Sequence, residues 1–186
     1  MSIQKRLQQV TIGPLNQING TIQLCPYSPD WAMLYQQQEK TIKKALGDRV
    51  MGIEHVGSTS VPGLCAKPII DIVLLVKCSA AEEEYVPLLE QVGYKLRIRE
   101  EDWHQHRMLR KEQPSVNLHV FSVGCQEAKR MIAFRDHLRQ CRRDRDLYAA
   151  KKMELAAKKW EYVQQYADAK TQVVQQILNR IREAWE

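Results

Sequence analysis

The sequence has no long hydrophobic run, and even the apolar segment over residues 69–76 contains Asp71. Because a helix that crosses a bilayer needs about 20 consecutive apolar residues, the sequence predicts no membrane-spanning segment. The first ten residues also lack the apolar core and the small-residue cleavage site of a secretory signal. These absences indicate a cytoplasmic protein that has no membrane among its partners.

Closely spaced cysteine pairs and low-complexity segments are also absent from the sequence. The five cysteines are odd in number, lie far apart and show no C-x-x-C spacing. This set argues against a disulfide scaffold or a zinc ribbon, and it predicts reduced thiols buried as small hydrophobic residues. A chain of 186 residues with 44% hydrophobic content and no internal repeat predicts one globular domain.

The net charge of +6 is unevenly distributed along the chain. Residues 1–125 carry 14 basic and 13 acidic side chains, whereas residues 126–186 carry 14 and 9. A basic excess in the C-terminal third suits an anionic ligand, such as a nucleotide, a nucleic acid or a phosphorylated metabolite. The ordinary alternative is a solvated helix surface, and charge alone does not decide between the two.

The pattern of apolar residues predicts strands first and helices last. Residues 7–25 hold two β-leaning pieces, the better one at 21–25, and further strands are predicted at 50–56, 69–76, 94–99, 103–110 and 115–121. Helices are predicted at 29–46 and 79–91. Three more are predicted from about 126 to about 142, from 144 to about 166 and from about 168 onwards. This order predicts an α+β fold in a single domain over residues 1–186. Its sheet-containing part covers about 1–125 and its helical part about 126–186.

Capping residues refine the first two predicted helices. Ser28 precedes the first helix as an N-cap, and Gly47 lies just past its end. Ser79 is a candidate N-cap for the second helix. Because Pro87 lies inside that pattern, a kink or a late start of the helix is expected.

Asp71 is a single carboxylate inside the apolar run I69-I-D-I-V-L-L-V76. A charged carboxylate is rarely left unpaired in a core, because desolvation costs several kcal/mol or shifts the pKa until the group protonates. One interpretation is an ion pair with a distant basic residue. The other is a metal ligand near the end of the strand, where a divalent cation supplies the compensating charge.

The turn that precedes this strand favours the metal interpretation. Gly57 allows the backbone to approach a ligand closely, and the hydroxyl and amide groups of Ser58, Thr59 and Ser60 can cradle a phosphate. Lys67, just before the strand, adds a point charge for a phosphate. Together with the carboxylate, these residues predict a phosphate site next to a metal ion.

The same stretch, E54-H-V-G-S-T-S-V-P-G-L-C-A-K-P-I-I-D-I72, resembles the signature of the GrpB-like family of the nucleotidyltransferase superfamily. The similarity spans roughly residues 22–180 and includes shorter motifs: Y27-S-P-D-W31, L46-G-D-R49, N117-L-H-V120, A133-F-R-D-H-L-R139 and Y166-A-D-A-K170. The resemblance implies a short mixed β-sheet flanked by helices. It also implies that Gly57 and Ser58 contact nucleotide phosphates and that Asp71 binds a divalent metal, Mg²⁺ or Mn²⁺.

The sequence departs from the superfamily pattern at two positions. The usual second carboxylate, two residues after the first, is replaced by Val73, and the position of the third holds His119. The expected metal ligands are therefore Asp71 and His119, which are also the two candidate catalytic residues. In that set His119 is either a second ligand or a general base, and imidazole suits zinc, iron or manganese better than magnesium.

Basic residues of the C-terminal helices are further candidates for phosphate binding. Arg135 and Arg139 lie one helical turn apart on the same face. Their alternative role is a solvated helix face or a salt bridge to Asp136 or Asp71. Lys170, one turn after Tyr166, is likewise predicted either to line the site or to pack between helices.

Histidines on the predicted strands offer weaker hypotheses. His104 and His106, at alternate positions, could form a metal site with His119, although ordinary polar residues on an open sheet face explain the pattern more simply. Glu54 and His55 are neighbours on one strand and face opposite sides, so at most one of them points into the site.

The leading functional hypothesis is a protein that binds a nucleoside triphosphate and transfers a nucleotidyl or phosphoryl group to a small-molecule acceptor. The alternative is a non-catalytic nucleotide-sensing or interaction module, which the missing acid at Val73 favours. Nucleic-acid binding ranks last, because the basic run R142-R-D-R-D146 alternates with acids. The acceptor and the nucleotide are left open, as is the oligomeric state, with a homodimer as one option.

Overall fold

The computed structural model describes residues 3–15 and 17–183. The helices are α1 (Ile3–Val10), α2 (Asp30–Leu46), α3 (Val86–Glu90), α4 (Gln126–Gln140), α5 (Arg142–Ala156), α6 (Val163–Ala169) and α7 (Thr171–Glu183). The strands are β1 (Gln17–Gly20), β2 (Gly52–Val56), β3 (Ile70–Val76), β4 (Lys95–Glu100), β5 (His106–Lys111), β6 (Val116–Ser122) and β7 (Trp160–Tyr162). Within these described residues, no helix is long and apolar enough to cross a membrane.

Five of the described strands form one mixed sheet in the order β2-β3-β6-β5-β4. Strands β3 and β6 are parallel, and the other neighbours are antiparallel. One face of β3 carries Ile70, Ile72 and Leu74, which are buried against apolar residues of α2 and α3 such as Ile42 and Leu89. The predicted α+β architecture, with a short mixed sheet flanked by helices, is confirmed.

The opposite face of the sheet is only partly covered by helices. Around Val73, helix α4 packs Ala128 against the sheet to form a small apolar cluster that also includes Val56 and Phe121. At the start of β3, the same face borders a cavity instead. Helix α4 therefore closes one end of this face, and the other end borders the cavity.

Most of the predicted elements are present. Helix α2 occupies the predicted range, with the hydroxyl of Ser28 accepting a hydrogen bond from the Asp30 amide at 3.2 Å. Gly47, at φ 55°, ends this helix as expected. The helix after Ser79 does start late, at Val86, but Ser79 does not cap it, because its hydroxyl donates to the Gln105 carbonyl instead.

Three predictions about the chain are wrong. Residues 7–10 belong to helix α1, and residues 21–25 form no continuous strand, because their amides bond to separate segments: Ile22 to Ala156 and Cys25 to Ala66. The strand in this region is β1, which pairs with β7. That pairing also breaks the helix predicted over residues 144–166, since β7 interrupts it between α5 and α6.

The thiols differ in part from expectation. All five cysteines are free, as predicted. None of them is buried, however: Cys25 and Cys78 are exposed and the other three are partly exposed. The prediction that they pack as buried hydrophobic residues is wrong. The last predicted helix is present up to Glu183, and its remaining three residues lie outside the described part of the chain.

Candidate functional site

Asp71 lies at the edge of the cavity rather than inside the core. It is opposite Val56 on β2 and Asn117 on β6, and its side chain is 27% exposed. The amide of Asn117 donates to Asp71 Oδ1 at 3.0 Å, and His119 Nε2 lies 3.6 Å from the same oxygen. Among the described residues, His119 is the one basic side chain within ion-pair distance of Asp71, and no lysine or arginine lies that close.

Gly57 permits this placement of the carboxylate. Its φ of 70° is in the left-handed region, and an added Cβ would lie 2.5 Å from Asp71 Oδ2. The close approach predicted for Gly57 is therefore an approach to the Asp71 side chain. Any other residue here would push the carboxylate out of position.

The environment of Asp71 keeps it ionised. Burial acts to raise its pKa, but the neighbouring His119, the amide of Asn117 and the charge of Lys67 outweigh burial, and the pKa falls below its usual value. The carboxylate can thus accept hydrogen bonds or ligate a cation at neutral pH.

His119 is connected to a second histidine and a glutamate on its other side. Its Nδ1 lies 3.1 Å from Nε2 of His106, whose Nδ1 lies 2.8 Å from Glu100 Oε2. Burial lowers the pKa of His106, against the opposing effect of Glu100. His106 and His119 are adjacent, but His104 lies in the exposed turn before β5, so the three rings of the suggested metal site do not converge.

The cavity has a volume of about 720 Å³. It is bordered by the sheet face around Asp71, by N-terminal residues within 7–15 and 17–24, and by α5 and α6. Its cationic wall consists of Lys67, Arg97, Arg110, Lys152 and Lys170. The single acidic residue of the described lining is Asp71. The described lining therefore has an excess of basic over acidic side chains.

The three lysines have no carboxylate partner within ion-pair distance in the described part of the chain. Lys152, only 2% exposed, donates to the carbonyl of Cys65. Burial, reinforced by the charge of Lys170, lowers the pKa of Lys152 from 10.5 to about 7. Burial also lowers the pKa of Lys67, with Lys170 contributing, and that of Lys170 itself. This crowding of like charges costs stability until an anion compensates it.

Tyr166 supplies an unused polar group in the same wall. The residue is 1% exposed, and its hydroxyl is the one buried side-chain polar atom without a hydrogen-bond partner among the described residues. Lys170 lies over its ring, with Nζ 4.4 Å from the centroid. A buried hydroxyl without a protein partner is available to hydrogen-bond a ligand or a water molecule.

The predicted phosphate cradle is only partly available to a ligand. Ser58 and Thr59 line the cavity, together with Lys67. However, the hydroxyl of Thr59 donates to the Ile69 carbonyl at 3.1 Å, and that of Ser60 donates to the Gly57 carbonyl at 2.6 Å. These two hydroxyls hold the turn in shape rather than pointing to a ligand.

Arg135 and Arg139 are not brought to the cavity. Arg135 donates from Nη1 to Glu54 at 2.6 Å and to the His55 carbonyl at 2.8 Å, and Arg139 donates from Nε to the Ser60 carbonyl at 2.9 Å. Neither arginine belongs to the described lining. Arg135 Nε and Arg139 Nη1 also lie 2.8 and 3.7 Å from Asp136, so the alternative of a salt bridge to Asp136 is confirmed, and the phosphate role is not supported.

The neighbours of these arginines are likewise structural. Glu54 pairs with Arg135 outside the cavity, and His55 is buried with its ring stacked on Tyr35 at 4.8 Å. Burial lowers the pKa of His55 to about 4, which keeps the ring neutral. Neither Glu54 nor His55 therefore supplies the second acid that the usual metal site would need.

A cluster of potential metal ligands lies elsewhere in the described residues. Ligand atoms of His137, Cys141 and Asp144 are within 4.8 Å of one another. Asp144, however, already accepts hydrogen bonds from His137 and from Arg180. The charge of Arg180 opposes a cation at this position, and none of the three residues lines the cavity.

Sequence reasoning missed several residues of the cavity. Asn117 and Arg110 reach the cavity through strand pairing, because they are opposite each other in the β5–β6 register. A prediction of that register would have identified both. Lys152 had a local signal: it lies on the buried face of α5 with Tyr148 and Leu155, at positions that the helical period reserves for apolar residues. A lysine at a buried helical position indicates a candidate binding residue, as the single carboxylate of Asp71 does in its apolar strand.

Comparison with known proteins places the chain in a family. The model of the GrpB protein family matches residues 21–180. The chain belongs to the GrpB family. A UPF0157 protein of Halalkalibacterium halodurans is 53% identical over 176 residues, which cover 95% of this chain and 90% of that protein.

A solved structure and a third protein extend this comparison. The crystal structure of the conserved protein GrpB from Enterococcus faecalis matches with a TM-score of 0.77 at 27% identity, over 88% of this chain and 100% of that chain. A protein of Mycolicibacterium paratuberculosis named dephospho-CoA kinase is 38% identical over 76 residues, which are 39% of this chain and 19% of that protein. The GrpB fold is therefore common to this chain and the enterococcal protein.

Proposed function

We propose that this GrpB protein binds a nucleoside triphosphate in the cavity and transfers a nucleotidyl or phosphoryl group to a small acceptor. The observation that carries the proposal is the convergence of Lys67, Lys152 and Lys170 on one cavity without carboxylate partners among the described residues. A polyphosphate would compensate this charge. The unpaired hydroxyl of Tyr166 offers it one more hydrogen-bond donor.

The cavity also has apolar lining that suits the rest of such a ligand. This lining comes from the N-terminal segment and the sheet and includes Ile18, Ile22, Ile98 and Met108. A volume of about 720 Å³ is in the range of small-molecule sites, which combine apolar walls with a few directed polar groups. A nucleoside in contact with these apolar side chains would have its phosphates bound by the lysines.

One divalent cation fits the site and two do not. Magnesium is commonly held by one or two carboxylates together with substrate phosphates, and Asp71 provides one such carboxylate. The position of a second carboxylate is occupied by Val73, which is fully buried. A cation that arrives with the triphosphate would be held by Asp71, where it would neutralise charge on the phosphates.

The remaining residues have distinct roles in the proposed transfer. His119 is placed to accept the proton of an acceptor hydroxyl next to Asp71. Lys67 and Lys170 would stabilise charge that develops on the transferred group. The similarity to a segment of a dephospho-CoA kinase supports a phosphorylated ligand, although the segment is only 19% of that protein.

A second function, nucleotide sensing without catalysis, is favoured by Val73. Two-metal transfer needs both ions to be clamped by acidic ligands, and the buried Val73 removes that option. The two proposals agree on binding and differ on turnover. Turnover in the presence of Mg²⁺ or Mn²⁺ therefore decides between them.

The experiment is titration calorimetry with ATP, GTP, CTP, UTP and inorganic triphosphate, with and without Mg²⁺ or Mn²⁺. Wild type should bind at least one nucleoside triphosphate, and Lys170→Met should weaken that binding at least about tenfold. Lys129→Met, on an exposed position of α4, is the matched control and should change nothing. Failure of wild type to bind any triphosphate would contradict both functions.

The role of Asp71 is tested in the same assay. Asp71→Asn keeps the shape of the side chain and removes its charge, so binding without metal should persist while the increment caused by Mg²⁺ or Mn²⁺ should disappear. Phosphorus NMR of wild type with a mixture of small alcohols and amines then measures turnover. Metal-independent binding with no turnover would select the sensing function.

A further inference from the structure

Four polar side chains lie in a row across the sheet, from Glu100 on β4 to Asp71 on β3. The facing nitrogen and oxygen atoms of neighbouring side chains are separated by 2.8 Å between Glu100 and His106, 3.1 Å between His106 and His119, and 3.6 Å between His119 and Asp71. The first two separations are hydrogen bonds, whereas the last is too long to be one. The break in the line lies at the cavity.

The ring of His106 is held in one orientation. It is 4% exposed and stacks on His119 at 5.3 Å and on Phe121 at 4.8 Å, with Trp103 edge-on at 5.4 Å. The ring cannot rotate without breaking these contacts. Its two nitrogens are therefore committed to the partners they have in the structure.

The hydrogen-bond partners fix where the protons are. A glutamate carboxylate only accepts, so Nδ1 of His106 must carry the proton that binds Glu100. A neutral imidazole carries a single proton, so Nε2 of His106 is an acceptor when Nδ1 holds that proton. Nδ1 of His119 then donates to that nitrogen, and in this tautomer Nε2 of His119 has no proton.

The separation of 3.6 Å between His119 and Asp71 is consistent with this assignment. Two acceptors that face each other repel, so a nitrogen lone pair and a carboxylate oxygen would stay beyond hydrogen-bond distance. The space between them suits a group that both can bind, namely a proton donor of the acceptor or a cation.

We propose that Glu100 and His106 are positioning residues that hold His119 with its unprotonated Nε2 directed at the cavity next to Asp71. Neither residue touches the ligand; they act through the ring of His119. The same arrangement is known for metal and catalytic histidines, whose second nitrogen is bound by an outer partner that selects the tautomer. This inference rests on the proposed function only for what His119 does to a ligand.

The test is the tautomer of His119, measured by long-range ¹H–¹⁵N correlation on protein labelled with ¹⁵N-histidine, without nucleotide or metal, at about pH 8. In wild type we expect the proton on Nδ1 and a bare Nε2. A proton on Nε2 in wild type overturns the proposal. Because this readout needs no ligand, it can fail while nucleotide binding succeeds, and the reverse is also true.

Variants separate positioning from ordinary packing. His106→Phe keeps a stacked ring and removes the acceptor, so His119 should become a mixture of tautomers. His106→Gln offers an amide oxygen to Nδ1 of His119 and should restore the wild-type tautomer. Glu100→Leu removes the outer acceptor without altering the stacked rings and should also give a mixture, which provides a second test if His106→Phe does not fold.

The control is His104→Asn, in the exposed turn next to these residues, where asparagine tolerates the positive φ of 56°. It should leave the His119 signals unchanged. An unaltered tautomer in both Glu100→Leu and His106→Phe would show that the two residues serve packing alone, and would overturn the proposal.

Discussion

Asp71 and Val73 are two residues apart on the same face of one strand, and their surroundings are opposite. The Asp71 side chain is 27% exposed and borders a cavity with several cations, whereas Val73 is 0% exposed and packs against Phe121 and Ala128. Helix α4 causes the difference, because it covers the sheet over Val73 and ends its cover before Asp71. A residue on this face can therefore be a carboxylate only where helix α4 does not cover it. The choice of face alone does not decide this.

His119 lies at the boundary between the two environments. It is opposite Val73 in the β3–β6 register and still reaches Asp71. On the side of the buried apolar cluster, called the dry end of this face, the rings of His106 and Phe121 stack and hold His119 in place. On the side of the cavity, called the wet end, its Nε2 faces Asp71. A rigid apolar cluster next to an accessible polar site is the arrangement that keeps a functional side chain in place.

Val73→Asp should have the largest effect, because it puts a carboxylate into the dry cluster. We expect the free energy of unfolding to fall by about 4 kcal/mol or more, as for an unpaired buried charge. Urea denaturation measures this loss. Restoring the second acid of the superfamily pattern should therefore cost stability rather than create a metal site.

The matched control is Val123→Asp, since Val123 is exposed just after β6. Its free energy of unfolding should change by no more than about 0.5 kcal/mol. If Val73→Asp is as stable as this control and binds a second Mn²⁺, the division of the sheet face into a dry and a wet end is wrong.

Arg135→Ala should have the next largest effect, because Arg135 ties α4 to the strand that it covers. Its loss leaves the His55 carbonyl and Glu54 without their donor, which should cost about 2 kcal/mol, given that Glu54 is half exposed. Arg142→Ala, whose side chain is 85% exposed, is the control and should cost less than about 0.5 kcal/mol.

Nucleotide affinity distinguishes the two roles considered for Arg135. If it only holds α4, Arg135→Ala measured well below its melting temperature should bind triphosphate as wild type does. A tenfold loss of affinity in a variant with unchanged stability would return Arg135 to the binding site.

The sequence predicted the sheet and the position of its key carboxylate better than the cations around it. Period-two alternation in β6 correctly separated buried Val116, Leu118 and Val120 from the polar side chains on the other face, and a lone acid in an apolar run singled out Asp71. Both signals are local, because each depends on the sequence of a single strand.

The cations could not be assigned in the same way. Arg135 and Lys152 are both buried basic residues on C-terminal helices, yet one is saturated by protein acceptors and the other lines the cavity. Which donor meets which acceptor depends on how α4 and α5 pack on the sheet, and helical periodicity does not give that orientation. The β1–β7 pair was missed for a similar reason, since it joins segments far apart in the chain.

The smallest predicted effect is a pH dependence that distinguishes the wet end from the dry one. The pKa of Lys152 is about 7 in the folded protein and 10.5 as the ordinary value, so the unfolded state binds more protons between these limits. The free energy of unfolding should therefore rise with pH, by about 1 kcal/mol from pH 7 to pH 8. Lys67 and Lys170, whose pKa values are also lowered, contribute with the same sign.

Comparison of wild type with Lys152→Met isolates this contribution, because every other group that titrates in the interval is common to both proteins. The rise from pH 7 to pH 8 should be smaller in the variant by about the same 1 kcal/mol. Saturating triphosphate should flatten the wild-type curve in the same way, since a bound anion favours protonated lysine and moves its pKa out of the interval. Equal slopes in wild type and Lys152→Met would show that Lys152 stays protonated throughout, and that the cavity already holds enough negative charge without a ligand.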